Sequence, residues 1–128
     1  HIADATAIKI QQEGIKKIGL LGTAFTMEQD FYKGRLTEKF GLDVIIPDTA
    51  DRKIVHDIIY QELVSGIINE ASREQYKTII RKMINEGAEG VILGCTEIML
   101  LISQNDCAVP VFDTTEIHAL AAVDYALG

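Results

Sequence analysis

The sequence predicts an α/β fold: an open, parallel, four-stranded sheet with helices on both faces, in the flavodoxin-like strand order 2-1-3-4. Three observations carry this. Short apolar runs alternate with longer segments whose apolar residues recur at helical spacing, the pattern of alternating strands and helices. The runs are uniformly apolar, the signature of buried parallel strands. A chain of 128 residues fits one domain, and at that size roughly two thirds of the unfolded surface is buried, enough for a real core.

Asp4 caps a first helix that reaches about Gln12 and is stopped by Gly14. Ile18-Gly19-Leu20-Leu21-Gly22 is the first strand, set between Lys16-Lys17 and a Thr-rich turn. Thr26 to Phe40 reads as a single helix from the spacing of Phe31, Leu36 and Phe40, and Gly41 ends it. Asp43 to Ile46 is the second strand, closed by Pro47. Asp51 N-caps a helix to Ser65 that carries Ile54, Val55, Ile58, Ile59 and Leu63 on one face. Ser72-x-x-Gln75 is a capping box for the next helix, whose stripe is Tyr76, Ile79, Ile80, Met83 and Ile84 before Gly87. Gly90 to Gly94 forms the third strand, followed by a helix from about Thr96 to Ser103. Val109 to Phe112 is the fourth strand, and Thr115 to Leu127 the closing helix. The sequence contains no internal repeat, low-complexity tract or linker.

Charge narrows the function. With 12 Lys+Arg against 19 Asp+Glu the formal net charge is −7. Such a surface repels phosphodiester backbones and anionic lipid, which argues against nucleic acid and membrane as partners. No apolar run approaches the ~20 residues of a membrane span. Two cysteines, no Asn-x-Ser/Thr acceptor and no signal-peptide pattern predict a soluble protein of the reducing cytoplasm. The chain opens on His1-Ile2-Ala3-Asp4 without an initiator Met, as though cut from something longer.

In a doubly wound sheet, ligands bind at the carboxyl ends of the strands where the winding reverses. The 2-1-3-4 order sets the first strand beside the third, so Gly22-Thr23-Ala24-Phe25-Thr26 and Gly94-Cys95-Thr96-Glu97 should share one crevice. Cys95 sits there at a helix start, where the dipole and free N–H groups should lower its thiol pKa; its alternative reading is a small core residue. Thr23, Thr26 and Thr96 offer hydroxyls and helix-start amides suited to a carboxylate or phosphate, or else serve only as N-caps. Glu97 either complements the helix dipole or touches a ligand. Asp113 and Thr114 end the fourth strand, where the carboxylate caps the last helix or meets substrate, and His118, one turn further, can reach the crevice rim. His56, beside Asp57, reads as a surface residue. Cys107 belongs to the far edge of the sheet, about a strand length from Cys95 and too distant for a disulfide, so it is read as core. Neither the histidines nor the cysteines have metal-ligand spacing, and no phosphate-binding glycine motif occurs.

Three blocks, Gly19-Leu-Leu-Gly-Thr-Ala-Phe-Thr-Met27, Val91-Ile-Leu-Gly-Cys-Thr-Glu97 and Pro110-Val-Phe-Asp-Thr-Thr-Glu-Ile-His118, resemble the aspartate/glutamate racemase superfamily on its aspartate racemase side, where Glu97 stands in place of the His usual in glutamate racemases. The resemblance implies one lobe of a pseudo-symmetric two-lobe enzyme. Each lobe of such an enzyme contributes one cysteine, as acid and base on opposite faces of the substrate Cα, without pyridoxal phosphate or metal. It implies Cys95 as the catalytic residue and Thr23, Thr26, Thr96, Glu97, Thr114 and His118 around an acidic amino acid. Only the second half of the family pattern is matched. Residues 1–114 then form the second lobe, with His1 to Thr6 leading into it, and 115–128 a helix returning to an absent N-terminal lobe. A fragment of that kind should be inactive alone, should expose apolar Leu120, Ala121 and Leu127, and should come from a homodimer. Ser65-Gly66-Ile67 departs from relatives that carry a basic residue near the gate of the site. The alternatives are isomerase or decarboxylase chemistry on a related dicarboxylate, and a non-catalytic module that holds a small carboxylate.

Overall fold

The computed structural model describes residues 3–127; His1 and Ile2, the start of the segment expected to lead into the lobe, lie outside the described residues. The order is α1 (Asp4–Gln12), β1 (Lys17–Leu21), α2 (Ala24–Glu28), α3 (Asp30–Phe40), β2 (Asp43–Ile45), α4 (Thr49–Gln61), α5 (Glu70–Asn85), β3 (Val91–Leu93), β4 (Val111–Asp113) and α6 (Thr114–Leu127). Short 3₁₀ turns cover Leu63–Ser65, Thr96–Leu100 and Gln104–Asp106.

The sheet runs β2-β1-β3-β4 with every pair parallel, Gly19 opposite Val91 and Leu93 opposite Asp113. Successive strand residues alternate faces, and each face has its own core. Ile18, Leu20, Ile92 and Phe112 meet α1 and α3 through Ala7, Ile10, Tyr32 and Leu36, with Ile117 of α6 packed alongside. Leu21, Val91 and Leu93 meet α4 and α5 through Val55, Ile59, Tyr76, Ile80 and Met83. In that second core the Tyr76 hydroxyl donates to the Val55 carbonyl at 2.8 Å, which satisfies the one polar atom such a ring carries inside.

Several local expectations change. The segment expected as one helix is two, α2 and α3, because Gln29 is extended at φ −88°, ψ 153°; Thr23 caps the first of them. Asp48, not Asp51, caps α4, and Asp51 is instead buried against Lys82 at 3.1 Å. Asn69 caps α5, while Ser72 lies inside the helix and donates to Glu62 at 2.8 Å. Asp51 and Ser72 are each claimed by a partner on another segment, Lys82 and Glu62, which leaves the caps to Asp48 and Asn69. The helix expected after the third strand is a five-residue 3₁₀ turn. Among the described residues no helix is long and apolar enough to cross a membrane.

Candidate active site

At the carboxyl end of the sheet the first and third strands do bring their turns together. The Gly94 amide donates to the Leu21 carbonyl at 2.7 Å. The approach depends on two residues without a Cβ: one built on Gly22 would lie 3.0 Å from the Thr26 side chain, and one on Gly94 would lie 3.0 Å from the Leu21 carbonyl oxygen and 3.2 Å from the Thr26 methyl. Thr26 is thus seated between two glycines, and larger residues there would force the turns apart.

A crevice of about 490 Å³ opens at this junction, lined by Phe25, Thr26, Phe31, Tyr32, Gly94, Thr96, Thr114, Thr115, His118 and Ala119. Of the residues singled out in the sequence, Thr26, Thr96, Thr114 and His118 therefore share its wall. Thr23 stands behind it: its hydroxyl caps α2, accepting from the Thr26 amide at 3.4 Å, and lies 3.3 Å from the Thr26 hydroxyl. Thr114 donates to the Leu93 carbonyl at 3.1 Å, tying the start of α6 to the end of β3. Asp113 takes the capping alternative, accepting from the Thr115 amide at 3.0 Å. Phe25 belongs to the turn expected at the crevice, but the sequence marks Phe31 only as helix spacing and Tyr32 not at all, because an aromatic at helical spacing looks the same whether it fills a core or a crevice. None of the lining residues is Lys or Arg.

Cys95 and Glu97 are not among the lining residues; Cys95 lies in the chain between two that are, Gly94 and Thr96, half-buried, unbridged and packed against the core beneath α4 and α5. Its Sγ donates to Oε2 of Glu97 at 2.8 Å, and the Thr96 hydroxyl donates to the same oxygen at 2.9 Å. The two hydrogen bonds, from the thiol first, hold the Glu97 carboxyl below the usual carboxylate range. The thiol moves the other way: burial foremost, then the Glu97 carboxylate it donates to, push Cys95 up to about 11. This overturns the expectation of a lowered pKa. A five-residue 3₁₀ turn supplies little dipole, and the anion two residues on faces the sulfur directly. The proton rests on sulfur, with an ionised carboxylate as its acceptor.

His56 is half-buried, not a free surface residue. Its Nδ1 accepts from the Ala24 amide at 2.8 Å, so it abuts the start of α2. No local pattern signals this, because the partner lies 32 positions away.

The comparisons with known proteins agree with this architecture. A candidate Asp/Glu racemase from Yersinia pestis is 62% identical over the whole chain, with a TM-score of 0.98. An aspartate racemase homologue from Pyrococcus horikoshii is 41% identical over 99% of the chain (TM-score 0.90). An aspartate racemase from Picrophilus torridus is 26% identical over 98% (TM-score 0.75). The chain spans 56%, 55% and 52% of those three proteins, about half of each. The family model for Asp/Glu/Hydantoin racemases matches residues 1–122, and with a parallel 2-1-3-4 sheet that places Thr26, Gly94 and Thr96 around one crevice, the chain belongs to that family.

Proposed function

We propose that this chain is the second lobe of a cofactor-independent amino-acid racemase acting on an acidic amino acid, with Cys95 exchanging the Cα proton on one face and the N-terminal lobe supplying the acid/base on the other. The observation that carries this reading is the thiol of Cys95 donating to Glu97 at 2.8 Å, beside a crevice at the carboxyl end of the sheet.

Inversion at Cα needs a proton removed from one face and one delivered to the other, which one group cannot do. In this reading, Cys95 is the acid. When the base on the other face takes the Cα proton, the C–H electron pair stays on carbon and spreads into the α-carboxylate. The Cys95 S–H bond then breaks as its proton forms the new C–H bond, and Glu97 neighbours the thiolate that remains. In the opposite direction the Cys95 proton has first left through Glu97, the thiolate takes the Cα proton so that S–H re-forms, and the protonated group of the N-terminal lobe gives its proton to the other face as the new C–H bond. The Thr26 hydroxyl, with His118, faces the substrate carboxylate, where donors aimed at developing charge count most, while Thr96 and Thr114, whose hydroxyl hydrogens go to Glu97 and to the Leu93 carbonyl, shape the wall around it.

With no Lys or Arg lining this half of the crevice, the reading assigns the cation for the substrate's second carboxylate to the N-terminal lobe. It also has residues 115–128 pack on that lobe, covering Leu120 and Leu127, of which the latter is 83% exposed here, and has the enzyme act as a cytoplasmic homodimer. The test is racemisation of L-aspartate in heavy water by the intact protein. Deuterium should enter Cα of the inverted product, and Cys95→Ala should abolish inversion and the deuterium that enters with it. Inversion that survives this substitution would refute the role given to Cys95.

A further inference from the structure

Helix α2 has five residues, too few to hold themselves helical, yet it carries Phe25 and Thr26 into the crevice wall. Its first amides need partners, as at any helix start. The Thr26 amide has the Thr23 hydroxyl; the Ala24 amide has Nδ1 of His56, at 2.8 Å. One turn earlier on α4, Arg52 faces Glu28, the last residue of α2, with Nε 3.4 Å from the carboxylate, and anchors itself on the Pro47 carbonyl at 2.8 Å. Positions 52 and 56 lie on the same face of α4, so one helix face grips both ends of α2. The imidazole is braced by Tyr60, whose ring centroid lies 4.7 Å away. Because a backbone amide can only donate, Nδ1 must present its lone pair, and the ring's hydrogen belongs on Nε2.

We propose that His56 is a positioning residue, its Nδ1 fixing the start of α2 so that Thr26 and Phe25 hold their places in the crevice wall. Its consequence for ligand binding rests on the function proposed above, whereas its effect on α2 does not. Met27 is fully buried and Glu28 is held by Arg52, so loss of the imidazole should loosen the front of α2 without unfolding the domain. Asn is the conservative replacement, since its Oδ1 can stand where Nδ1 stood.

The test uses amide hydrogen exchange, together with calorimetric titration of L-aspartate, on the intact protein and its His56→Ala and His56→Asn variants. In His56→Ala, exchange over residues 24–27 should quicken about tenfold, the worth of one hydrogen bond. Exchange over 91–93 should stay as in the parent, and aspartate affinity should drop several-fold. His56→Asn should restore both to within about threefold. Unchanged exchange in His56→Ala overturns the proposal. So does equal loosening in His56→Asn, which would make ring packing on Tyr60 the whole contribution, and so does loosening that spreads to 91–93, which would make His56 a support of the fold. An intact protein that binds no aspartate refutes the substrate reading, while the exchange data still decide His56.

Discussion

The two cysteines sit at opposite ends of one sheet and make a comparison that burial alone would miss. Both are half-buried and unbridged, and both pack against the same core beneath α4 and α5. Both thiols are raised, each with burial as the leading cause. They differ in what faces them. Cys95 follows β3 at the carboxyl end and donates to Glu97, in a turn whose neighbours line the crevice. Cys107 precedes β4 at the amino end, where the charge of Asp106 raises its thiol further and that of Lys77 lowers it. A thiol becomes a candidate acid/base through an aligned proton acceptor and an adjoining cavity, and only the carboxyl end of this sheet provides both.

The sharpest way to break this comparison is to exchange each sulfur for oxygen in the intact protein. Cys95→Ser should lower kcat/KM for aspartate racemisation by about 10³-fold or more, the range for loss of a general acid/base. Cys107→Ser should leave it within about twofold, its effect being a small loss of stability read by thermal unfolding, ~1 kcal/mol for a half-buried thiol. Comparable losses of activity at both positions would end the distinction between the two ends of the sheet.

The next largest effect should come from Glu97. Glu97→Gln keeps the shape but removes the charge that accepts the thiol proton, and should lower kcat/KM about 10- to 100-fold. The fall should be equal for L- and D-aspartate, because an enantiomeric pair has an equilibrium constant of one and the two directions must remain balanced. A variant as fast as the parent would reduce Glu97 to a cap of its turn.

Much of this arrangement is legible in the sequence, and the residues that are not share a cause. The strands and their order followed from short apolar runs punctuated by glycine, and that order alone brought the turns after Gly22 and Gly94 together, with Thr26, Thr96, Thr114 and His118 at one crevice. Local signals failed where a distant partner decided the outcome. Asp51 and Ser72 looked like caps but are claimed by Lys82 and Glu62. His56 looked like solvent-facing helix surface but is claimed by Ala24. The break at Gln29 lies within a helical spacing that Phe31, Leu36 and Phe40 continue, and its extended backbone frees α2 to turn Met27 into one core while α3 packs on the other. Cys95 follows β3 at the carboxyl end as the sequence places it, but its electrostatics run the other way, because a dipole argument suited to a full helix fails in a 3₁₀ turn with an anion in it.

That error yields the finest prediction, a comparison of alkylation rates. With its thiol pushed up to about 11, Cys95 is roughly one part in a thousand thiolate at pH 8, and since only the thiolate reacts, its rate should climb about tenfold per pH unit until it levels near that value. A lowered thiol would level off near neutrality instead. At pH 7 to 8 Cys95 should therefore react no faster than Cys107, whose thiol is raised as well. Glu97→Gln separates the two causes at Cys95. Burial, the larger, remains, while the repelling carboxylate goes, so the neutral-pH rate at Cys95 should rise only several-fold, about three- to tenfold, with Cys107 unchanged. Mass-mapped alkylation across a pH series reads both sites in one sample. A Cys95 that alkylates fastest at neutral pH, with a rate that flattens there, would restore the helix-terminus argument and remove the case for Cys95 as a resting acid.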